Sequence, residues 1–365
     1  MASDLAQLKK RYDALCRVIN VQINRHPQLS LSSELEKLAA ESKAHDIRDI
    51  YGAGGVIAEF ESQLCDLLDK PSSIFLPTGT LAQCAALKCY AESSGRNVVG
   101  LHPTSHILLH EHMAIEHLWG LYVNKVGEKD RVLRPDDFTH LNPIELAAVI
   151  IELPMREIGG VLPTWEHLLA IRAWCDLHSI KMHMDGARLW QTGHFYQRSL
   201  SEITALFDSI YVSFYKDMGG IFGAALLGEK VFIEDAKIWA RRAGGNPVTQ
   251  YPEVLAARRG IANYLPKMPQ YAKYTEQLAR ALGTLTVSLT PKVPQASMFH
   301  IQFDCSPLIL TQRIVDYAQL HNVIPLPLPR PNPDGTCFCE ISVGESTISH
   351  PPEFWLTHIQ KVIHR

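Results

Sequence analysis

The sequence predicts an α/β protein in which a large domain, built on a doubly wound and mostly parallel sheet covered on both faces, is followed by a smaller α/β domain. Three observations carry this. From about residue 72, short apolar runs alternate with helical patterns, the signature of strands buried on both faces by crossover helices. Gly244-Gly245-Asn246-Pro247 interrupts that alternation and a helix-rich stretch follows. At 365 residues the chain exceeds what one small core organises. The expected division is a helical arm over 1–45, a large domain over 46–255 and a small C-terminal domain over 256–365.

Leu5, Leu8, Tyr12, Leu15 and Ile19 repeat at spacings of three and four and describe an amphipathic helix, whose stripe is to be covered by this chain or by a second subunit. Strands are expected at 74–76, 97–101, 122–126, 147–153, 181–184, 209–214 and 223–227, with helices at 81–91, 107–119 and 165–178 between them. Beyond the breaker, helix continues to about 282. Strands at 284–290 and 298–303, a helix near 311–321, a strand at 337–343 and a closing helix complete the chain. Prolines 325, 327, 329, 331 and 333 make the intervening segment a rigid connector.

Hydrophobic residues at 46% and charged residues at 20% describe an ordinary globular protein, and a net charge of -3 gives no electrostatic reason for nucleic acid or an anionic membrane as partner. The central apolar run 146–151 is too short to span a bilayer, and the polar stretch 1–10 lacks a signal-peptide core, so cytoplasm is the expectation. Eight cysteines without a Cys-x-x-Cys pair fit reduced thiols, and Cys337 and Cys339, flanking Phe338 on a strand, share one face as structural residues.

The chemistry lies at strand ends. Lys216, in Ser213-Phe214-Tyr215-Lys216-Asp217, follows Asp185 of His183-Met184-Asp185-Gly186-Ala187-Arg188 by 31 residues, and each motif closes an apolar strand. A lysine amine forms a Schiff base with an aldehyde cofactor, while a carboxylate opposite a ring nitrogen keeps that nitrogen protonated, and together they point to a pyridoxal phosphate enzyme. Pro77-Thr78-Gly79-Thr80 lies between a strand and a helix, where a glycine backbone, hydroxyls and the helix N-terminus suit a phosphate. Arg188, three residues after Asp185, suits a substrate carboxylate, and Ser213 adds a phosphate contact. His106 is placed to stack on a ring or carry a proton. His106 and His110 are one turn apart and so admit a shared metal ion, but His110-Glu111-His112-Met113-Ala114 lacks the second histidine of a His-Glu-x-x-His motif, and no metal is expected.

Read in order, Tyr51-Gly52, Pro77 to Thr80, His106 with Glu111, Glu152 with Gly159-Gly160, Asp185 to Arg188 and Lys216 resemble the threonine aldolase and β-eliminating lyase family over roughly residues 50–250. The resemblance implies the aminotransferase-like fold of type I pyridoxal phosphate enzymes and a homodimer or homotetramer with active sites at the subunit interface. Carried onto this chain, it assigns phosphate to Gly79 and Thr80, ring stacking to His106, the pyridinium nitrogen to Asp185, the cofactor linkage to Lys216 and the substrate carboxylate to Arg188. The implied reaction is cleavage of Cα–Cβ in threonine or allo-threonine, with His106 as base and Glu111 supporting it. The alternatives are β-elimination and a catalytically silent binding protein of the same fold. The substrate half departs from the family pattern: no Arg-Ser-Asp-Thr segment opens the chain, Tyr51-Gly52-Ala53-Gly54-Gly55 replaces Tyr-Gly-Glu-Asp-Pro, and Leu153-Pro154-Met155-Arg156 replaces Asn-Thr-His-Asn. The usual C-terminal arginine has no counterpart in Glu340 to Glu345. Tyr51 and Arg156 are therefore the further candidates for holding substrate.

Overall fold

The computed structural model describes residues 2–364. It divides into two compact units: one comprises the chain up to Ser33, Ile158–Val161 and the chain from Lys267 on, and the other comprises Glu34–Glu157 and Leu162–Pro266.

The second unit holds a seven-stranded sheet of β1 (Ser72–Leu76), β2 (Val98–Leu101), β3 (Tyr122–Lys125), β4 (Leu146–Glu152), β5 (Lys181–Gly186), β6 (Ser209–Ser213) and β7 (Ala224–Gly228), in the order β1-β7-β6-β5-β4-β2-β3. The neighbours from β3 through β6 pair in parallel, whereas β7 runs antiparallel to both β6 and β1. Central strands read as continuous apolar runs because both faces are covered: Leu146 to Ile151 are all buried. The helix Gly79–Ser94 buries Ala82, Cys84, Ala85, Ala86 and Leu87 along its length. The helix Gly55–Leu68 buries Ile57, Phe60 and Leu64, with the Phe60 ring 6.2 Å from Phe75 and 5.2 Å from Phe214. Buried Asp49 accepts from the Thr249 hydroxyl at 2.8 Å and the Gln250 amide at 2.9 Å, fixing the entry to the helix Tyr251–Tyr264.

The helix expected over 107–119 is two short helices, His106–His110 and Ala114–His117. The break comes from His112 and Met113, which adopt positive φ of 49° and 59°. A left-handed pair cannot continue an α-helix, and the periodicity of apolar residues on either side carries no trace of it.

The first unit holds an antiparallel sheet of β8 (Ser288–Thr290), β9 (Met298–Phe303), β10 (Arg330–Pro331) and β11 (Cys337–Ser342), in the order β10-β11-β9-β8. The proline-rich connector thus contributes an edge strand, where a residue without an amide hydrogen is tolerated. The stripe of the helix Ala2–Cys16 is covered within the chain: Tyr12, Leu15, Cys16 and Ile19 pack with Ala318 and Ile324, and the Tyr12 hydroxyl donates to the Leu326 carbonyl. All eight cysteines are free; Cys337 and Cys339 are fully buried, and burial pushes the Cys337 thiol up to about 12. Among the described residues, no helix is long and apolar enough to cross a membrane.

Candidate active site

Parallel α/β sheets place ligands beyond the carboxyl ends of their strands. Here β4 ends at Glu152, β5 carries Asp185 one residue from its end, and Lys216 follows β6 by three residues. These three line one pocket with Gly79, Thr80 and Gln83 of the Gly79–Ser94 helix, and with His106, Glu111, Arg156, Glu157, Arg188 and Tyr215.

Its base is built by the register of the sheet. Glu152 and Asp185 are level partners on β4 and β5, and Asp185 Oδ1 accepts the Ala187 amide at 3.1 Å. Asp185 is 1% exposed and Arg188 8%. Lys216 as a residue is partly exposed, yet its amine sits inside the pocket, where desolvation first and Arg188 second lower its pKa to about 8, against the opposing pull of Asp185 and Glu152. Glu152 moves the other way: enclosure of its carboxyl, reinforced by the charge of Asp185, pushes its pKa up to about 8, while the Arg156 amide donating to Oε1 at 3.0 Å opposes the shift.

One wall carries a hydrogen-bonded chain. His106 Nδ1 lies 3.0 Å from Glu111 Oε1, and the Thr80 hydroxyl bonds the same carboxylate. Burial alone would raise the Glu111 pKa, but the bonds from His106 and Thr80 outweigh it and hold the group below the usual carboxylate range. The helix break at His112 and Met113 leaves Glu111 as the last residue of its turn, able to fold back to His106. A second pair lies alongside: His110 Nε2 is 3.0 Å from Glu157 Oε1, which also meets an Arg156 guanidinium nitrogen at 3.3 Å. The two imidazoles, with ring centres 4.9 Å apart, are thus each directed to their own carboxylate.

The remaining sequence candidates fall outside the pocket lining. Thr78 is the N-cap of the Gly79–Ser94 helix, its hydroxyl accepting the Leu81 amide, so the amides ahead of that one, on Gly79 and Thr80, are those a phosphate would take. Ser213 is fully buried and its hydroxyl donates to the Ala187 carbonyl at 2.8 Å, holding the turn that carries Arg188. Tyr51 sits exposed in a turn with φ 51°, its amide donating to the Val248 carbonyl. The pocket also contains Gln83, Glu157 and Tyr215, which the sequence reading did not single out. Tyr215, next to Lys216, was signalled by position alone. Gln83 lies one turn beyond Gly79 on the same helix face, a spacing that would have found it.

The family model for beta-eliminating lyases matches residues 34–304, most of the chain and every residue of this pocket. The chain belongs to the beta-eliminating lyase family. A solved Listeria monocytogenes protein assigned as an L-allo-threonine aldolase is 34% identical, covering 99% of this chain and 98% of that one with a TM-score of 0.90. An Exiguobacterium protein assigned as an aromatic amino acid beta-eliminating lyase/threonine aldolase is 32% identical, with a TM-score of 0.91 over 97% of this chain and 99% of that one. The low-specificity L-threonine aldolase of Candida albicans is 24% identical over 54% of this chain, and the match spans about half, 54%, of that protein's length. This lyase is a pyridoxal phosphate enzyme of fold type I. Its residues fit that cofactor: an amine of lowered pKa and a buried carboxylate line one pocket, and Gln83 Oε1 is buried in the wall without a hydrogen-bond partner. A Cβ on Gly79 would collide with the Tyr211 hydroxyl, so that corner of the pocket admits only a bare backbone.

Proposed function

We propose that this lyase cleaves the Cα–Cβ bond of a β-hydroxy amino acid, threonine or allo-threonine, to glycine and an aldehyde. The observation that carries the reading is the chain Thr80–Glu111–His106 on the wall of the pocket that contains Lys216 and Asp185. Pyridoxal phosphate, when bound, supplies an electron sink for the bonding pair released at Cα. Lys216 would hold the cofactor aldehyde, Asp185 its ring nitrogen, and the Gly79 and Thr80 amides its phosphate. With Nδ1–H donating to Glu111, the other nitrogen of His106, Nε2, carries the lone pair and accepts the β-hydroxyl proton. Glu111 then faces an imidazolium and stabilises it. That proton loss makes the Cβ–O bond a carbonyl as Cα–Cβ breaks; Cα is reprotonated and glycine leaves.

Arg188 is the residue proposed to grip the substrate carboxylate, with Arg156 as the further cation that lines the pocket. Exposed Ile47, Ile50, Tyr51, Val248 and Tyr251 support assembly into a homodimer or homotetramer, in which Tyr51 would serve a neighbouring site. A cytoplasmic location accords with this chemistry. Product analysis tests the reaction: acetaldehyde and glycine in equal amounts from threonine or allo-threonine support it, whereas pyruvate and ammonia from serine would establish β-elimination instead.

A further inference from the structure

Glu152 is absent from the reaction described above, yet it stands beside its centre. Because β4 and β5 are parallel and Glu152 is level with Asp185, the two carboxyl groups leave the sheet on the same face and enter the same pocket. Two carboxyl groups that share an enclosed site disfavour each other's charged form, which raises the pKa of one of them, here Glu152. Asp185 is the member that meets the Ala187 amide and lies in the strand that leads to Arg188. Glu152 meets an amide as well, that of Arg156, which ties it to the loop following β4.

We propose that Glu152 is a positioning residue held in the resting site as the neutral carboxylic acid, so that the charge of Arg188 is directed to a substrate carboxylate instead of to a second protein anion. This deepens the aldolase reading and rests on it, since it defines how the site keeps Arg188 available to the substrate carboxylate. The charged groups facing Glu152 are Asp185 and Arg188 from the β5 end and Lys216 from the β6 end. His106 and Glu111 lie across the pocket, and Arg156 and Glu157 follow on its own loop. Were Glu152 ionised, its carboxylate would compete with substrate for Arg188 and strengthen protonation of Lys216; as the acid it does neither. Burial and the Asp185 charge both act in this direction.

The experiment compares wild type with Glu152→Gln, a neutral mimic of the acid, and Glu152→Ala, as holoenzymes. Infrared difference spectra, wild type minus Glu152→Gln, are expected to show a protonated carboxyl band at neutral pH that disappears with an alkaline midpoint. A carboxylate band in its place at neutral pH overturns the proposal. Glycine affinity, measured by calorimetry from about pH 7 to about pH 9.5, is expected to weaken in wild type by roughly tenfold more than in Glu152→Gln, because only the wild type gains an anion beside Arg188. Superimposable pH profiles for the two overturn it equally. Glu152→Ala, which loses the Arg156 anchor as well, is expected to bind glycine worse than Glu152→Gln at every pH; equal affinity of these two variants would remove the positioning role. The infrared band reads Glu152 whether or not the aldolase reading holds. Glycine that fails to bind at any pH would overturn the Arg188 role together with that reading.

Discussion

Glu111→Gln separates the charge of Glu111 from its shape. The amide oxygen still accepts from His106 Nδ1, so the contact to the imidazole is preserved while the anion is lost. Its contribution is felt when His106 has taken the substrate proton and become imidazolium. At 3.0 Å the attraction between two unit charges lies between the limits for water and for a protein surface. The His106 side chain is 35% exposed and that of Glu111 13%, which sets the value toward the screened side, at about 2 kcal/mol. That corresponds to a loss of roughly 30-fold in kcat with little change in KM, because the charge pair exists only after proton transfer. The depressed pKa of Glu111 means the carboxylate is present above the ordinary range and is lost only as the pH falls through its lowered value, so the deficit persists throughout a neutral assay. Steady-state aldehyde release from allo-threonine, for wild type and variant, measures it. A kcat within twofold of wild type would show that His106 is not the base supported by Glu111.

Three further outcomes follow from the geometry. In the cofactor-free protein, Lys216 binds its proton more weakly when folded, so stability rises with pH from about 8 toward the 10.5 of an ordinary lysine, by up to roughly 3 kcal/mol; chemical denaturation of Lys216→Met should lack that rise. Gly79→Ala drives a methyl group into the buried Tyr211 phenol and is expected to destabilise by about 1–3 kcal/mol in urea melts and to weaken cofactor binding; a wild-type midpoint would mean the ring yields. Arg156→Ala should raise the KM for amino acids by removing a cation that lines the pocket, and unchanged affinity would remove Arg156 from substrate binding.

The alternating elements of the large sheet were legible because central parallel strands must be apolar on both faces, and runs such as Leu146 to Ile151 have no other reading between turns. Lys216, Asp185, Arg188, Gly79, Thr80 and His106 close or follow a strand or open a helix and Glu111 ends the helix that His106 opens, and the sheet gathers all seven into the lining of one pocket. The broken helix at His112 and Met113 was not legible, since two left-handed residues leave the apolar spacing intact on both sides. The pairing of Glu152 with Asp185 was hidden for a different reason. Their level depends on the register between β4 and β5, a tertiary property that neither strand's own sequence encodes. Ser213 shows the converse: its spacing from Lys216 invites a phosphate contact, while its hydroxyl is engaged by the Ala187 carbonyl.

The most direct measurement of the central claim is the visible absorbance of the purified protein with pyridoxal phosphate, recorded before and after adding threonine while aldehyde is assayed in the same cuvette. The expected result is a cofactor band that depends on Lys216, changes when threonine is added and is accompanied by acetaldehyde. A protein that stays colourless with added cofactor, or a band that threonine leaves unchanged with no aldehyde formed, would contradict it.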